Sequence, residues 1–431
     1  MNNSERKIRI LVVSNTAWDD ANSFGSSYSN IFGGNDKYEI ANIYCRPGSP
    51  RTKVCSRFFQ ITEKSIVENL FKKNKHIGAE IEYSSTDIIV TNSEAFNFGQ
   101  RHRWRILYWG RNLIWGGKRW KSPSLDNFID DFKPDIIFQP VYYSTYIGEI
   151  ALYAKQRLDV PMIGYISDDN YTLKQYSWSL AFWLERLYIR RFVKKVIDAC
   201  SILYTITPRQ RVEYNEIFGN KCKVLTKGCL FSDTDKTYVL HYPIRLIYAG
   251  GLGNGRLQTL SLIAKAIDKF NDGKELAKLR VYSRMPLTEK QLKLLNIEGS
   301  SEFMGGVSPE EINRIQEETD IFVHVESFSK KERYSARLSF STKITDYLQM
   351  GKCVLAVGWE QTGAIEMLKN NDAAFVITDE DSIEDNVKAL LSDSNMIISI
   401  GSKGYHYAKK AFNICKMRNM VFSDIDSVIA Q

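Results

Sequence analysis

The sequence predicts an α/β protein with two doubly wound domains, each built on a parallel sheet, and a cleft between them. Short apolar runs of strand length alternate with stretches of helical periodicity through the whole chain. Such alternation is typical of parallel sheets covered by helices. In addition, a chain of 431 residues exceeds what one hydrophobic core usually holds and suits two domains of ordinary size.

Each predicted strand is an apolar run that ends in a small or polar loop. The first half contains Ile8–Ser14, Ile40–Cys45, Asp135–Gln139, Met162–Ile166 and Ile202–Ile206. The second half contains Ile244–Ala249, Leu279–Ser283, Ser301–Met304, Ile321–Val325, Val354–Val357 and Ala374–Ile377. Because the chain turns polar before Pro243 and a new strand follows it, we predict domains at 1–240 and 241–400. Helices are expected over 401–431, the last of them around 423–430 and able to pack on the first domain.

The composition indicates an ordinary globular protein, with 44% hydrophobic and 25% charged residues. We expect neither a signal peptide nor a transmembrane helix, since the chain opens on polar residues and contains no long apolar run. The seven cysteines include no C-x-x-C pair, which argues against a zinc or disulfide framework and favours a cytoplasmic protein. The net charge of +8 is moderate and does not by itself indicate a nucleic-acid partner.

The segment 339–356 predicts a site for an anion. A hydroxyl-rich loop leads into a helix start with Lys343, and a carboxylate, Asp346, follows one turn later. Backbone N–H groups at a helix N-terminus hold phosphate, and the lysine adds positive charge. Asp346 can accept a hydrogen bond from a ribose hydroxyl. A nucleotide diphosphate is therefore the expected occupant.

A second anion-binding element is predicted after the strand Ile244–Ala249. The turn contains Gly251 and Gly253, and Arg256 opens the next helix. Glycines let the backbone approach an anion closely, and a guanidinium can donate two hydrogen bonds to a diphosphate. Taken alone, the pattern fits an ordinary turn with a surface arginine equally well. Its pairing with the Lys343 segment favours the anion site.

Other polar groups follow predicted strands, where α/β proteins collect their sites. Glu326, two residues after His324, is a candidate catalytic group, although a buried strand histidine is equally expected there. Asp168 and Asp169 follow a first-domain strand, and since adjacent side chains point apart, at most one should enter the cleft. Helix capping by Asp168 is the alternative. The spacing of the histidines does not indicate a metal site, and no third carboxylate stands near Asp168 and Asp169 in the sequence. Further donor-binding candidates lie in two neighbouring loops: Ser283, Arg284, Gly306 and Val307.

Two acid-free segments, 101–111 and 115–121, hold four of the eight tryptophans. Basic side chains among interfacial aromatics fit an anionic membrane surface. A basic helix whose aromatics pack inward is equally expected, and no recognised nucleic-acid fold accompanies the pattern. The stretch 178–196 supplies a second basic amphipathic helix. The predicted membrane or acceptor surface comprises Arg103, Trp104, Arg105, Trp109, Arg111 and Arg119.

Over almost its full length the chain resembles glycosyltransferases of family 4, of the bacterial capsular and exopolysaccharide type. The closest matches are 248–256, 324–328 and 339–344 with Gly351 and Lys352. The resemblance implies a GT-B architecture of two Rossmann-like domains. It also implies transfer of a hexose, with retention, from a nucleotide diphosphate sugar to a glycan or lipid-linked acceptor at the inner membrane face. No cofactor or metal is expected.

The resemblance also implies roles for single residues. Arg256 and Lys343 would bind the donor diphosphate and stabilise it as it leaves. Ser341 and Thr342 would contact the diphosphate, and Asp346 would bind the ribose. Val307 would face the base, and Gly25 would lie beside the transferred sugar.

Two positions depart from the family pattern. The first of the family's paired glutamates falls on Leu338, and the usual arginine of the glycine loop falls on Gly251. Two other functions therefore stay open. One is a nucleotide-sugar epimerase of the same plan, and the other is a membrane-surface scaffold with a degenerate nucleotide pocket.

Overall fold

The computed structural model of the protein describes residues 6–71, 77–81, 105–232 and 238–431. Within these ranges, fourteen strands form two sheets, which are flanked by sixteen helices. The prediction of two α/β domains with parallel sheets is confirmed.

The first sheet has eight strands in the order β4-β3-β2-β1-β5-β6-β7-β8, all parallel except β4, which runs antiparallel to β3. Three short strands that the sequence did not predict, β3, β4 and β8, lie towards its edges. The strands are β1 (Ile8–Ser14), β2 (Tyr38–Tyr44), β3 (Arg57–Gln60), β4 (Ala79–Ile81), β5 (Ile136–Pro140), β6 (Met162–Ile166), β7 (Ile202–Thr205) and β8 (Cys222–Val224). The helices are α1 (Ser23–Phe32), α2 (Glu63–Phe71), α3 (Arg105–Gly116), α4 (Pro123–Phe132), α5 (Thr145–Leu158), α6 (Leu180–Asp198) and α7 (Pro208–Phe218).

The second sheet is parallel throughout, in the order β11-β10-β9-β12-β13-β14. The strand order reverses between β9 and β12, and ligands of such sheets bind in the crevice at this switch point. The strands are β9 (Ile244–Ala249), β10 (Ala277–Tyr282), β11 (Ser301–Gly305), β12 (Ile321–Val325), β13 (Cys353–Val357) and β14 (Phe375–Ile377). The helices are α8 (Arg256–Asn271), α9 (Glu289–Leu295), α10 (Pro309–Glu317), α11 (Lys330–Ser335), α12 (Lys343–Gln349), α13 (Gly363–Asn370), α14 (Ile383–Leu391), α15 (Ser394–Ala411) and α16 (Ile414–Ile429).

The last two helices belong to different domains. The predicted break at residue 400 falls inside α15, which packs closely on the second domain: a Cβ at Gly401 would lie 2.6 Å from the carbonyl oxygen of Gly351. Helix α16 begins at Ile414 rather than near residue 423. Its apolar face joins the core of the first domain beside β1, and Tyr204 in β7 donates a 2.6 Å hydrogen bond to Asp424. The chain therefore returns to the first domain.

The loop between α11 and α12 crosses from the second domain into the first. Leu338 is fully buried and belongs to the hydrophobic core of the first domain. The neighbouring Arg337 forms a buried ion pair with Glu213 and lies 3.6 Å from a carboxylate oxygen of Asp169. The loop that leads to Lys343 is therefore anchored in the opposite domain.

No helix in the described part of the chain combines the length and apolarity needed to cross a bilayer.

Candidate functional site

A pocket lies at the switch point of the second sheet, where the loop after β9, the end of β12 and the start of α12 meet. Its lining brings together residues that are distant in the sequence. They include Tyr248, Gly251, Arg256, His324, Ser341 and Lys343. Both predicted phosphate-binding cations therefore line one pocket.

The loop after β9 has the shape that its glycines allow. Gly255 has a φ of +75°, and a Cβ there would lie only 2.1 Å from the Ser327 hydroxyl oxygen, so glycine is required by both conformation and space. The Tyr248 hydroxyl donates a 2.6 Å hydrogen bond to the carbonyl oxygen of Gly251. These contacts fix the point at which α8 begins with Arg256.

Arg256 is paired within the chain to Glu326, which follows β12. Its Nη2 lies 3.1 Å from both carboxylate oxygens, and its Nε lies 3.3 Å from Oε2. Glu326 is buried. Burial raises the pKa of the Glu326 carboxyl, and the positive charge of Arg256 opposes that rise. The cation predicted to meet the diphosphate thus already has a counter-anion.

Lys343 is the first residue of α12, and its Nζ donates a 2.8 Å hydrogen bond to the carbonyl oxygen of Ala249. Desolvation by the surrounding protein, followed by the charge of Arg256, lowers the pKa of Lys343. Helix α12 has only seven residues. The Lys343 ammonium is therefore the positive charge that this segment brings to the pocket.

His324 lies on β12 inside the pocket and is buried. Its Nε2 has no hydrogen-bond partner and lies 3.6 Å from Oε1 of Glu326. Burial, with further contributions from the charges of Arg256 and Lys343, lowers the pKa of His324 to about 3. The imidazole is therefore neutral at physiological pH.

Of the remaining predicted residues of the Lys343 segment, Thr342 and Asp346 lie outside the pocket lining. Ser341 lines the pocket, and the Thr342 carbonyl oxygen accepts a 2.7 Å hydrogen bond from the Thr345 hydroxyl. Asp346 is held by Lys227, whose Nζ lies 2.6 and 2.8 Å from the two carboxylate oxygens. Lys227 follows the first sheet, so the predicted ribose ligand is positioned from the other half of the chain.

The loops after β10 and β11 form one unit beside the pocket. Arg284 Nη2 donates a 3.3 Å hydrogen bond to the carbonyl oxygen of Val307. A Cβ at Gly306 would lie 2.7 Å from Cγ of Arg284, so glycine allows the two loops to meet. The buried Ser283 hydroxyl accepts a hydrogen bond from the backbone N–H of Met285. The predicted base-facing residues are thus neighbours, but outside the pocket lining itself.

In the first domain, the side chains of Asp168 and Asp169 point in different directions. Asp168 accepts a 2.8 Å hydrogen bond from the Ser339 hydroxyl of the second domain. Asp169 is buried and pairs with Arg186 at 3.2 Å. Gly25 lies in α1, where a Cβ would meet the carbonyl oxygen of Asp19 at 2.0 Å. Asp168 therefore faces the cleft, whereas Gly25 permits close packing of α1.

The structure describes the side chains of two residues of the predicted membrane surface around α3, Arg111 and Arg119. Arg111 is turned inward, where it pairs with Glu63, hydrogen-bonds the Tyr146 hydroxyl and lies over the Tyr146 ring. Trp115 and Trp120 are buried, because apolar area rather than charge decides which face of this helix meets the core. Arg119 is exposed. Arg103 and Trp104 lie outside the described residues, as do the side chains of Arg105 and Trp109 in α3.

In the described part of the chain, no three histidine, cysteine, aspartate or glutamate side chains come close enough together to hold a metal ion.

Residues 243–393 match the family model of glycosyl transferases group 1. No curated protein sequence matches the chain significantly. The match covers the second domain, including the glycine loop, Arg256, Glu326 and the Lys343 segment.

Solved structures resemble the whole chain in fold. HepE of Anabaena in complex with UDP has a TM-score of 0.63 at 12% identity, covering 97% of this chain and 100% of its own. Sucrose-phosphate synthase of Thermosynechococcus elongatus has a TM-score of 0.64 at 10% identity, with 98% and 100% covered. TarM has a TM-score of 0.62 at 8% identity, with 98% and 100% covered. The fold is the two-domain GT-B architecture.

Several residues of the site were not predicted from the sequence. Lys227 and Arg337 act across the domain boundary, on partners more than a hundred residues away in the chain, so no local pattern indicates them. Tyr248 had a local signal, since it directly precedes the glycine loop that its hydroxyl holds. Leu338, which the resemblance aligns with the first glutamate of the family pattern, is buried in the core of the first domain.

Proposed function

We propose that this protein is a glycosyltransferase that moves a hexose from a nucleotide diphosphate sugar to a glycan or lipid-linked glycan acceptor. The observation that carries the proposal is the meeting of Arg256 and Lys343 at the switch point of a domain that matches glycosyl transferases group 1. HepE, a relative in fold, binds UDP and UDP-glucose in its solved structures. UDP is accordingly the proposed nucleotide.

The donor diphosphate exchanges with an anion that is already present. The diphosphate oxygens replace the Glu326 carboxylate as hydrogen-bond acceptors of the Arg256 guanidinium. They also accept from Lys343, and Ser341 and Thr342 lie beside them. The exchange favours the donor because the diphosphate carries more negative charge than one carboxylate and also accepts from Lys343. Asp346 accepts from a ribose hydroxyl, and Val307 with Arg284 borders the base.

Transfer proceeds with retention and without a protein nucleophile. The bond between the anomeric carbon and the diphosphate oxygen breaks, and its electron pair leaves with the diphosphate. The acceptor hydroxyl oxygen bonds to the same face of the anomeric carbon, and its proton passes to the departing phosphate oxygen. Arg256 and Lys343 stabilise the charge that develops on the leaving group. These two cations supply that stabilisation without a metal ion.

The acceptor binds in the first domain, beside Asp168. This carboxylate is held at the cleft by Ser339, so it can orient an acceptor hydroxyl near the anomeric carbon. Gly25 lets α1 pack close to Asp19, and we propose that this packing places the start of α1 near the transferred sugar. We place the enzyme at the cytoplasmic face of an anionic membrane, in the synthesis of a surface polysaccharide, with no nucleic-acid partner.

One observation favours a second function, a nucleotide-binding scaffold without turnover. Leu338 replaces a family glutamate and is buried in the first domain, which removes one carboxylate from the cleft. Such a protein would bind the nucleotide through Arg256 and Lys343 but would not transfer the sugar.

Calorimetric titration with UDP, GDP, ADP and dTDP tests the donor site, and turnover of UDP-hexoses then separates the two functions. We expect UDP to bind most tightly and UDP-hexose to be consumed when a glycan acceptor is present. Binding without consumption would favour the scaffold. The absence of binding to any nucleotide would overturn both functions.

A further inference from the structure

The N-terminal half of α6 presents an apolar face to solvent. Trp178, just before the helix, is 90% exposed, and Leu180 is 74% exposed. Leu184, Leu187 and Tyr188 continue the same side and are also exposed. Solvent-exposed apolar side chains that adjoin one another mark interaction surfaces more often than single exposed ones do.

The same side of the helix becomes cationic in its C-terminal half. Arg191, Lys194 and Lys195 are exposed and follow the leucines at helical spacing. Lys194 pairs with Asp198 at 2.6 Å. Arg191 and Lys195 form no ion pair with any residue that the structure describes. The face is therefore divided along the helix axis into an apolar half and a cationic half.

The opposite side of α6 holds this face in place. Arg186 is buried and donates to the Asp169 carbonyl oxygen at 2.7 Å and to the Thr172 carbonyl oxygen at 2.7 Å. Arg190 lies 4.4 Å above the Tyr171 ring. Two of the five basic residues of α6 thus serve packing, which fixes the direction of the exposed face.

The apolar end of the helix lies at the mouth of the cleft between the domains. The rings of Trp178 and Tyr176 are 5.9 Å apart. The ammonium of Lys330, from α11 of the second domain, lies 4.6 Å from the centre of the Tyr176 ring. Whatever covers Trp178 and Leu180 therefore also borders the cleft.

We propose that this face of α6, from Trp178 to Lys195, docks on an anionic lipid bilayer. The leucines and Trp178 enter the boundary between headgroups and acyl chains, and the cationic half contacts the headgroups. The proposal deepens the proposed function, on which it rests for the identity of the acceptor. A bilayer at the cleft mouth would present a lipid-linked acceptor to the site.

Charge complementarity favours a bilayer over a second copy of the chain. In a twofold dimer through antiparallel α6 helices, the apolar half of one copy would meet the cationic half of the other. A parallel arrangement would bring like charges together. An anionic bilayer matches both halves at once, because its apolar interior and its charged surface lie side by side.

Sedimentation of the full chain with phosphatidylglycerol vesicles tests the proposal. We expect Leu180→Ser/Leu184→Ser/Leu187→Ser to weaken vesicle binding by at least about tenfold. Arg191→Gln/Lys195→Gln should weaken it by about fivefold per removed charge at low salt and by less at high salt, where charges are screened. Val212→Ser/Ile217→Ser, which removes exposed apolar residues from α7, is the matched control and should bind as the wild type does.

Two further measurements keep the outcome clear. Brominated lipids should quench wild-type fluorescence more than that of Trp178→Phe. Calorimetric UDP titration of every variant separates the surface from the donor site: loss of vesicle binding with UDP affinity retained supports the proposal. Equal vesicle binding by the leucine variant and the α7 control would overturn it. So would a wild-type dimer that the leucine variant converts to monomer without loss of vesicle binding.

Discussion

Arg256 in the donor pocket and Arg191 on α6 are both arginines for which we propose an anionic partner, yet the protein surrounds them differently. Arg256 lies against the buried Glu326 at 3.1 Å, whereas Arg191 is exposed and has no ion-pair partner among the described residues. Burying an unpaired charge costs several kcal/mol. A cation at the surface avoids that cost because water solvates it. A buried phosphate site therefore needs its own counter-anion, and a lipid-binding surface does not.

This difference affects how each region meets its ligand. At Arg256, a diphosphate must replace one anion by another, so ligand affinity and protein stability depend on the same pair. At Arg191, a headgroup adds an interaction where none existed, so binding should respond to salt and leave stability unchanged. Substitutions in the two regions should therefore change different properties, and the changes should also differ in size.

The largest effect is expected for Arg256→Ala, which leaves the Glu326 carboxylate buried without its counter-ion. Removing one partner of a buried pair costs about 3–5 kcal/mol of folding stability. Loss of the charge-assisted bonds should also lower UDP affinity by more than tenfold, or about 1.5–3 kcal/mol. Urea denaturation and calorimetry measure the two quantities. In Arg256→Ala/Glu326→Gln, stability should recover while affinity stays low; recovery of both would remove Arg256 from the donor site.

Lys343→Ala should lower UDP affinity by a similar factor, about tenfold or more, but should cost little stability. Its Nζ donates only to the Ala249 carbonyl oxygen among the bonds described, and no buried acid depends on it. A large loss of stability with unchanged affinity would show that Lys343 serves the fold instead. Lys343→Arg, which keeps the charge, is the matched control.

Glu326→Gln is expected to act in the opposite direction on affinity. The amide keeps the shape of the side chain but no longer competes with the diphosphate for Arg256. We therefore expect UDP to bind about fivefold more tightly, which corresponds to roughly 1 kcal/mol for one weakened interaction. Weaker binding would mean that the carboxylate orients Arg256 productively, and the comparison with Arg191 would lose its basis.

The sequence predicts the fold better than it predicts these pairings. β1, β6, β9 and β12 have their predicted bounds, because strands buried in a parallel sheet are continuous apolar runs. The motif residues Arg256 and Lys343 were found because each lies in a local pattern of glycine, hydroxyl and charge. The partner of Arg256 lies 70 residues away in sequence, and contacts of that range follow from packing rather than from a motif.

The orientation of the two basic helices likewise could not be predicted from the local sequence. The segments 101–121 and 178–196 both combine basic and aromatic residues, and the sequence could not decide which would turn its aromatic residues inward. In the structure Trp115 is buried, and Trp178 is almost fully exposed. The choice depends on the neighbouring surface, since Trp115 finds the ring of Tyr146 at 4.1 Å, a residue of another helix.

Asp346→Asn should lower UDP affinity by a few-fold, whereas Asp168→Asn should lower transfer and leave UDP affinity unchanged. The first residue is proposed to accept from the ribose, and the second, which accepts a hydrogen bond from Ser339, is proposed to orient the acceptor. Because Lys227 holds Asp346 in place, the loss of UDP affinity in Asp346→Asn should persist at high salt. Donor binding by calorimetry and transfer to acceptor are measured separately. If Asp346→Asn binds UDP normally, its ribose role is wrong.

The smallest effect is expected for Arg191→Gln measured in solution without lipid. An exposed side chain with no ion pair contributes within about 0.5 kcal/mol to stability, and UDP affinity should not change, because the residue lies outside the pocket lining. Denaturation in urea and calorimetry, run beside Arg256→Ala, provide the direct contrast between a surface arginine and one that is paired with a buried carboxylate. If Arg191→Gln destabilises the protein by several kcal/mol, the arginine is part of the packing of α6. The cationic half of that helix would then be unavailable to a bilayer.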